Sequence, residues 1–176
     1  MGKILDDIRK AAGDRQRSTQ WYRRKITELG AKVSSRRLIN QGPLQRQPSV
    51  GKLNFFFYDP KLKQILPYYD RFPLVLPIGP AKGGFLGINF HYLPITLRVQ
   101  LLERLDGKNL RAADYNSLKR INLIKPTIKH YLTTQIRSGF LRIEEEDFLP
   151  ACLLPVQQFR KETVTRVYAD SRKMVL

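Results

Sequence analysis

The sequence predicts an α+β protein: a small mixed or antiparallel sheet with packed helices, preceded by a basic helical and extended N-terminal arm. Three observations predict it. Short apolar runs bounded by Pro, Gly and Asp succeed one another between residues 53 and 90, runs of helical spacing follow them, and the first third differs in charge from the rest. Residues 1 to 53 hold 13 Lys and Arg against 4 Asp and Glu, whereas the other 123 hold 19 against 11. Net positive charge, +9 over the first 53 residues against +8 over the other 123, is therefore more than twice as dense at the start. The chain divides there into residues 1–52, the basic helices and arm, and residues 53–176, a single core domain; 176 residues do not suffice for a second domain of ordinary size.

The elements follow in order. A helix from about Lys3 to Ala12 sets Ile4, Leu5 and Ile8 on one face and stops at Gly13. Ser18 is placed to cap a second helix, in which Trp21, Ile26 and Leu29 are roughly helix-spaced, and Gly30 ends it. The stretch AKVSSRRLINQGPLQRQPSVGK, residues 31–52, has two prolines, two glycines, no acidic residue and little periodicity. It predicts an extended arm that orders only against a partner. FFFY, residues 55–58, reads as a buried strand ended by the turn formers Asp59 and Pro60. FPLVLPI reads as an edge strand because of Pro73 and Pro77, and FLGINF as a third strand joined to it through the turn GPAKGG. Pro94 suits the first turn of a helix bearing Leu97, Leu101, Leu102 and Leu105. Further helices are expected over 113–123, 126–136 and 162–173, with strands at FLRI and ACLL. The predicted core is Phe55, Phe57, Leu74, Leu76, Phe85, Ile88, Leu101 and Leu132. Asp70 is placed to anchor backbone amides, and Arg71 to pair with an acid.

A formal charge of +17 exceeds what solubility requires and favours a polyanionic partner. No run approaches the roughly 18 apolar residues of a membrane-spanning helix. The start, MGKILDDIRK, lacks a signal peptide's apolar core, and Asp6 stands where a myristoylation signal needs Ser or Thr. One cysteine, Cys152, provides neither an internal disulfide nor a zinc site. Synthesis in a reducing cytoplasm is the expectation.

Catalytic chemistry finds few groups. His91 and His130 are the only histidines, and neither has a metal-ligand spacing or a nucleophile motif beside it. His91 is expected to make a structural hydrogen bond near a helix start, and His130 to sit on a partly exposed helix. GPAKGG lacks the spacing of a phosphate loop and reads as a turn, from which Lys82 could touch a phosphate. Asp59-Pro60-Lys61 has the form of some metal-dependent nuclease sites, but its second carboxylate would have to come from Asp70 or the cluster Glu144 to Asp147. The expectation is no catalytic residue, no metal, no cofactor and no small-molecule substrate. The basic clusters carry the stronger signal, because three of them lie along one stretch with Glu28 as the only acid and with aromatic rings adjoining the first. The candidate DNA contacts are Arg15, Arg17, Trp21, Tyr22, Arg23, Arg24, Lys25, Lys32, Arg36, Arg37, Arg46 and Lys52. Trp21 either stacks on a terminal base pair or packs beneath its helix.

The pieces YDP, LPYYDRFPLV, GFLGINFHYLP, KHYL and VYADSRKM occur in this order from about Gly51 to Met174. In them the chain resembles the DNA end protector, or head-completion, proteins of contractile-tailed bacteriophages. The resemblance implies a non-enzymatic virion protein, made in the host cytoplasm, that joins the filled head late. It also implies binding to the packaged double-stranded DNA terminus, protection of that end from host exonuclease, and portal, neck or tail proteins as neighbours at the head–tail junction. It is weakest over the basic arm, whose DNA role rests on composition. The alternative is a purely architectural neck or baseplate component whose arm binds neighbouring subunits.

Overall fold

Helices α1 (Ile4–Ala12) and α2 (Thr19–Leu29) open the computed structural model, which describes residues 3–106 and 115–176. Ser18 caps α2 by accepting the Trp21 N–H at 3.2 Å, an interaction of about 1 kcal/mol. Gly13 and Gly30 end the two helices at φ +65° and +51°, where a side chain would be strained.

Residues 31–52 depart from the extended arm that their composition predicts. Ser34 caps a short helix, α3 (Ser35–Ile39), whose Leu38 and Ile39 are buried. Beyond it Gln45 exchanges backbone hydrogen bonds with Phe140 at 2.8 and 2.9 Å, Gln41 Oε1 accepts the Ile4 N–H at 2.7 Å, and the buried Asn54 side chain ties Ser49 and Lys52. The segment is ordered by the chain itself. Two apolar residues per short turn give too little periodicity to be read, yet they suffice once a core is present to receive them.

The strands are β1 (Leu53–Phe55), β2 (Tyr69–Asp70), β3 (Leu74–Ala81) and β4 (Gly84–Asn89), followed after helices α4 (Ile95–Leu105) and α5 (Tyr115–Leu118) by β5 (Ile128–Leu132) and β6 (Leu141–Ile143). Helix α6 (Phe148–Leu153), strand β7 (Phe159–Arg160) and helix α7 (Val164–Val175) complete the chain. The main sheet is antiparallel in the order β5-β4-β3-β1-β6, and β2 pairs with β7 as a separate ribbon. The α+β class is therefore correct. Alternation divides the sheet's faces: Leu74, Leu76, Ile88 and Phe55 point into the helices, while Val75 and Phe85 join Phe56, Tyr58, Tyr131 and Phe140 in an aromatic cluster on the other side.

Several predicted elements are corrected. The strand expected at FFFY ends at Phe55, and Phe57 is half-buried. β3 is not an edge, since it lies between β4 and β1; its prolines are tolerated because β1 pairs only with Leu74 and Val75 and a bulge falls between Pro77 and Gly79. The helix expected over 126–136 is instead β5, five residues paired with β4, followed by a 3-10 turn at Thr133–Gln135. Leu132 is accordingly half-buried, and His130 is exposed on a strand. ACLL belongs to α6 and not to a strand: the helix is enclosed by α1, α2 and α4, so it buries consecutive residues and loses the amphipathic signature. Over 113–123 the structure has α5 and a 3-10 turn at Asn122–Ile124, and Ala113 and Asp114 lie outside the described residues.

Candidate nucleic-acid interface

On α2 the core takes Tyr22 and Ile26, leaving Gln20, Arg23, Arg24, Thr27 and Glu28 on the outer face, one stripe of helical spacing. On α3 burial of Leu38 and Ile39 turns Arg36 and Arg37 outward. Arg15, Lys32 and Arg46 are exposed on the connections. Across residues 15–46 nine Lys and Arg face one carboxylate, Glu28, which Lys25 meets at 3.1 Å and Arg24 at 3.9 Å. Exposed ion pairs of this kind contribute little stability and leave the cations able to exchange partners.

The remaining candidates are differently placed. Tyr22 is buried in the main core and Trp21 packs half-buried against that core, edge-on to Tyr22 with ring centroids 5.2 Å apart. Arg17 donates through Nε to the Ala12 carbonyl at 3.0 Å, and its guanidinium lies 5.3 Å from the Trp21 ring centre. The indole thus packs partly against the core with the Arg17 guanidinium over its ring. Lys52 meets Glu145 at 2.8 Å and Glu144 at 3.6 Å, while Arg9 pairs with Asp147. The acidic run, a 3-10 turn at Glu145–Asp147 leading into α6, fastens the N-terminal segment to the core.

Asp59 is bound by Lys63 through both oxygens at 2.9 and 3.0 Å, and this hydrogen bonding holds its carboxyl below the usual range. Asp70 stands apart from it, buried. Among the described residues no group of three or more His, Cys, Asp or Glu is placed to hold a metal ion. Arg71, expected to pair with an acid, is exposed and near enough to act on the Asp59 charge, but among the described residues it makes no ion pair within 4 Å.

Asp70 anchors backbone amides and His91 makes a structural hydrogen bond, as expected; what sequence reasoning missed is that the two bond each other within a buried polar network. Asp70 Oδ1 accepts the N–H groups of Phe72 and Gln158 at 3.1 and 3.0 Å, and Oδ2 lies 2.7 Å from His91 Nδ1 and 3.4 Å from Asn89 Nδ2. Arg98, fully buried, donates to the carbonyls of Leu93 and Cys152 at 2.8 and 3.1 Å and to the Tyr168 hydroxyl at 2.6 Å. Burial opposes charge on Asp70, but the His91 contact and the two backbone donors keep its pKa below the usual value. Burial also pushes the His91 pKa down, so a neutral imidazole donates Nδ1–H to the carboxylate. The signal for Arg98 was present, since it shares a helical stripe with Leu101 and Leu105. Asp70, Asn89, His91 and Tyr168 all come from the pieces LPYYDRFPLV, GFLGINFHYLP and VYADSRKM; these pieces specify the interior and leave the cationic surface to the N-terminal third.

No curated protein and no solved structure matches the chain. A family match covers residues 3–173, both the cationic N-terminal third and the network-bearing core, and the family is described as Phage T4 terminal DNA protecting protein. The chain belongs to that family.

Proposed function

We propose that this protein binds the end of linear duplex DNA in a phage particle and shields it from exonuclease without catalysing a reaction. The observation that supports this best is the nearly acid-free set of exposed cations between Arg15 and Arg46, held on ordered helices within a chain of a terminal-DNA-protecting family. Arg15, Arg23, Arg24, Lys32, Arg36, Arg37 and Arg46 neutralise phosphates, with Lys25 and Arg17 beside them. Tyr22 and Lys52 support the scaffold. A DNA terminus in a filled head lies at the exit, so the head–tail junction is the position this reading gives, with portal, neck or tail proteins as neighbours.

The test is an exonuclease-protection assay on blunt linear duplex, with binding measured against salt. With about five phosphates neutralised, the logarithm of the binding constant should fall with log salt at a slope of about −4 to −5. The quadruple variant Arg23→Ala, Arg24→Ala, Arg36→Ala, Arg37→Ala should lose about three to four units of that slope and the protection with it. Digestion at the same rate with and without wild-type protein would overturn the reading.

A further inference from the structure

Two further surface features stand beside the cationic face, and Arg15 borders the second. The first is the loop from Pro60 to Pro67, which holds out Leu62 and Ile65, 58% and 77% exposed. It is firmly tied. The N–H groups of Ile65 and Leu66 donate to the Leu62 carbonyl at 3.1 and 3.2 Å, and Lys63 grips Asp59. Lys161, beyond β7, donates Nζ to the carbonyls of Lys63 at 3.3 Å, Gln64 at 3.0 Å and Leu66, from a backbone at φ +73° that non-glycine residues rarely adopt. So much ordering around a tip that buries nothing marks a surface built to be covered. Lys61 and Arg71 are exposed on this side, and Arg71 is close enough to act on the Asp59 charge.

The second feature is a cleft of about 900 Å³ between the α1–α2 connection, α4 and the start of α6. Val99, Leu102, Phe148 and Leu149, each partly exposed, supply its apolar wall, and five carboxylate residues against two arginines line it, Asp14 and Glu103 being exposed there. In a chain of charge +17 this is a local reversal of sign. The tip is aliphatic with cationic flanks, and the cleft is apolar with an acidic rim.

We propose that the Leu62/Ile65 tip of one copy seats in this cleft of a second copy, with Lys61 and Arg71 facing Asp14 and Glu103. The occupant is a second copy because the complementary surface, in both polarity and charge, is present on the chain itself. The ties from Lys161 and Lys63 hold the tip in place on its own copy. The contact either closes reciprocally, each tip in the other copy's cleft, as a two-fold dimer, or repeats head-to-tail as a ring or short row.

Sedimentation of the full chain without DNA, over a wide concentration range, tests this. The wild type should gain mass beyond the monomer as concentration rises. Ile65→Asp and Glu103→Lys, both on the surface and checked for unchanged melting, should each abolish that gain. Lys61→Glu should weaken association, and mixing it with Glu103→Lys should restore part of it. A wild type that stays monomeric throughout, or association that survives Ile65→Asp or Glu103→Lys, would overturn the proposal. So would a monomeric wild type whose affinity for blunt duplex falls with Ile65→Asp, which would make the tip a wedge against DNA.

Discussion

Asp70 and His91 both titrate below their ordinary values in the folded protein, and the sign of the consequence is the same for each. The unfolded chain takes up a proton on histidine near pH 6.5 and on aspartate near about 3.9, before the folded chain does. Stability should thus be full above about pH 6.5 and be lost as pH falls, first through His91 and then through Asp70. Urea midpoints measured from pH 7 to 4 check this, and His91→Gln should flatten the first part of the decline. Asp70→Asn weakens the acceptor that the Phe72 and Gln158 N–H groups and His91 Nδ1 share in the interior, and should cost about 1–3 kcal/mol at pH 7, measured by the same denaturation. Cys152 gives a second prediction. Burial pushes its thiol up to about 12, so it should resist alkylation at pH 8 in native protein and react fully in urea. That Asp70 would anchor amides was legible from its place before a proline-bounded strand; that Arg98 would be buried on the Leu93 and Cys152 carbonyls and the Tyr168 hydroxyl was not, because those acceptors come from distant parts of the chain.

Among the elements, β4 and β5 approach so closely that a Cβ on Gly84 would lie 1.8 Å from the Tyr131 carbonyl oxygen. Gly84→Ala should therefore push the two strands apart and cost about 3 kcal/mol, whereas Gly79→Ala, which meets nothing within 4 Å, should be almost neutral; thermal melts distinguish them. The helices with two-sided sequences were legible: α1, α2, α4 and α7 each have an apolar face, a polar face and, in α2 and α7, a capping Ser or Thr. β5 and α6 were not. IKHYL buries only Tyr131 fully, and a five-residue edge strand with one inward aromatic resembles a helical turn in spacing. In the candidate interface the outer faces of α2 and α3 follow from the same periodicity, so Arg23 and Arg24 could be placed from sequence. Trp21 could not, because its partner Arg17 is set by the turn between helices.

Across the whole molecule, the change in charge at residue 52 is not matched by a break in the interior. Ile4, Ile8, Ile26, Leu38 and Ile39 share one apolar cluster with Leu53, Ala151, Cys152 and Leu153. Each large aliphatic side chain contributes about 1.5–3 kcal/mol on burial. Together they rival the roughly 5–15 kcal/mol of net stability a domain possesses. A chain beginning at Gly51 is therefore expected to lose cooperative unfolding and to bind apolar dyes, as read by denaturation and fluorescence. The cationic surface and the fold stand or fall together, so exposed arginine substitutions, not truncation, are the means of separating binding from stability. The fastening of Arg9 to Asp147, and of α1 and α2 against α6, has one more consequence, in the order of synthesis. The first 50 residues leave the ribosome about a hundred residues ahead of the helix that receives them, and they must wait as a bare basic chain until α6 follows. Contacts so distant in sequence make the closing step late and comparatively slow, and the cationic helices are among the last parts of the protein to acquire their final form.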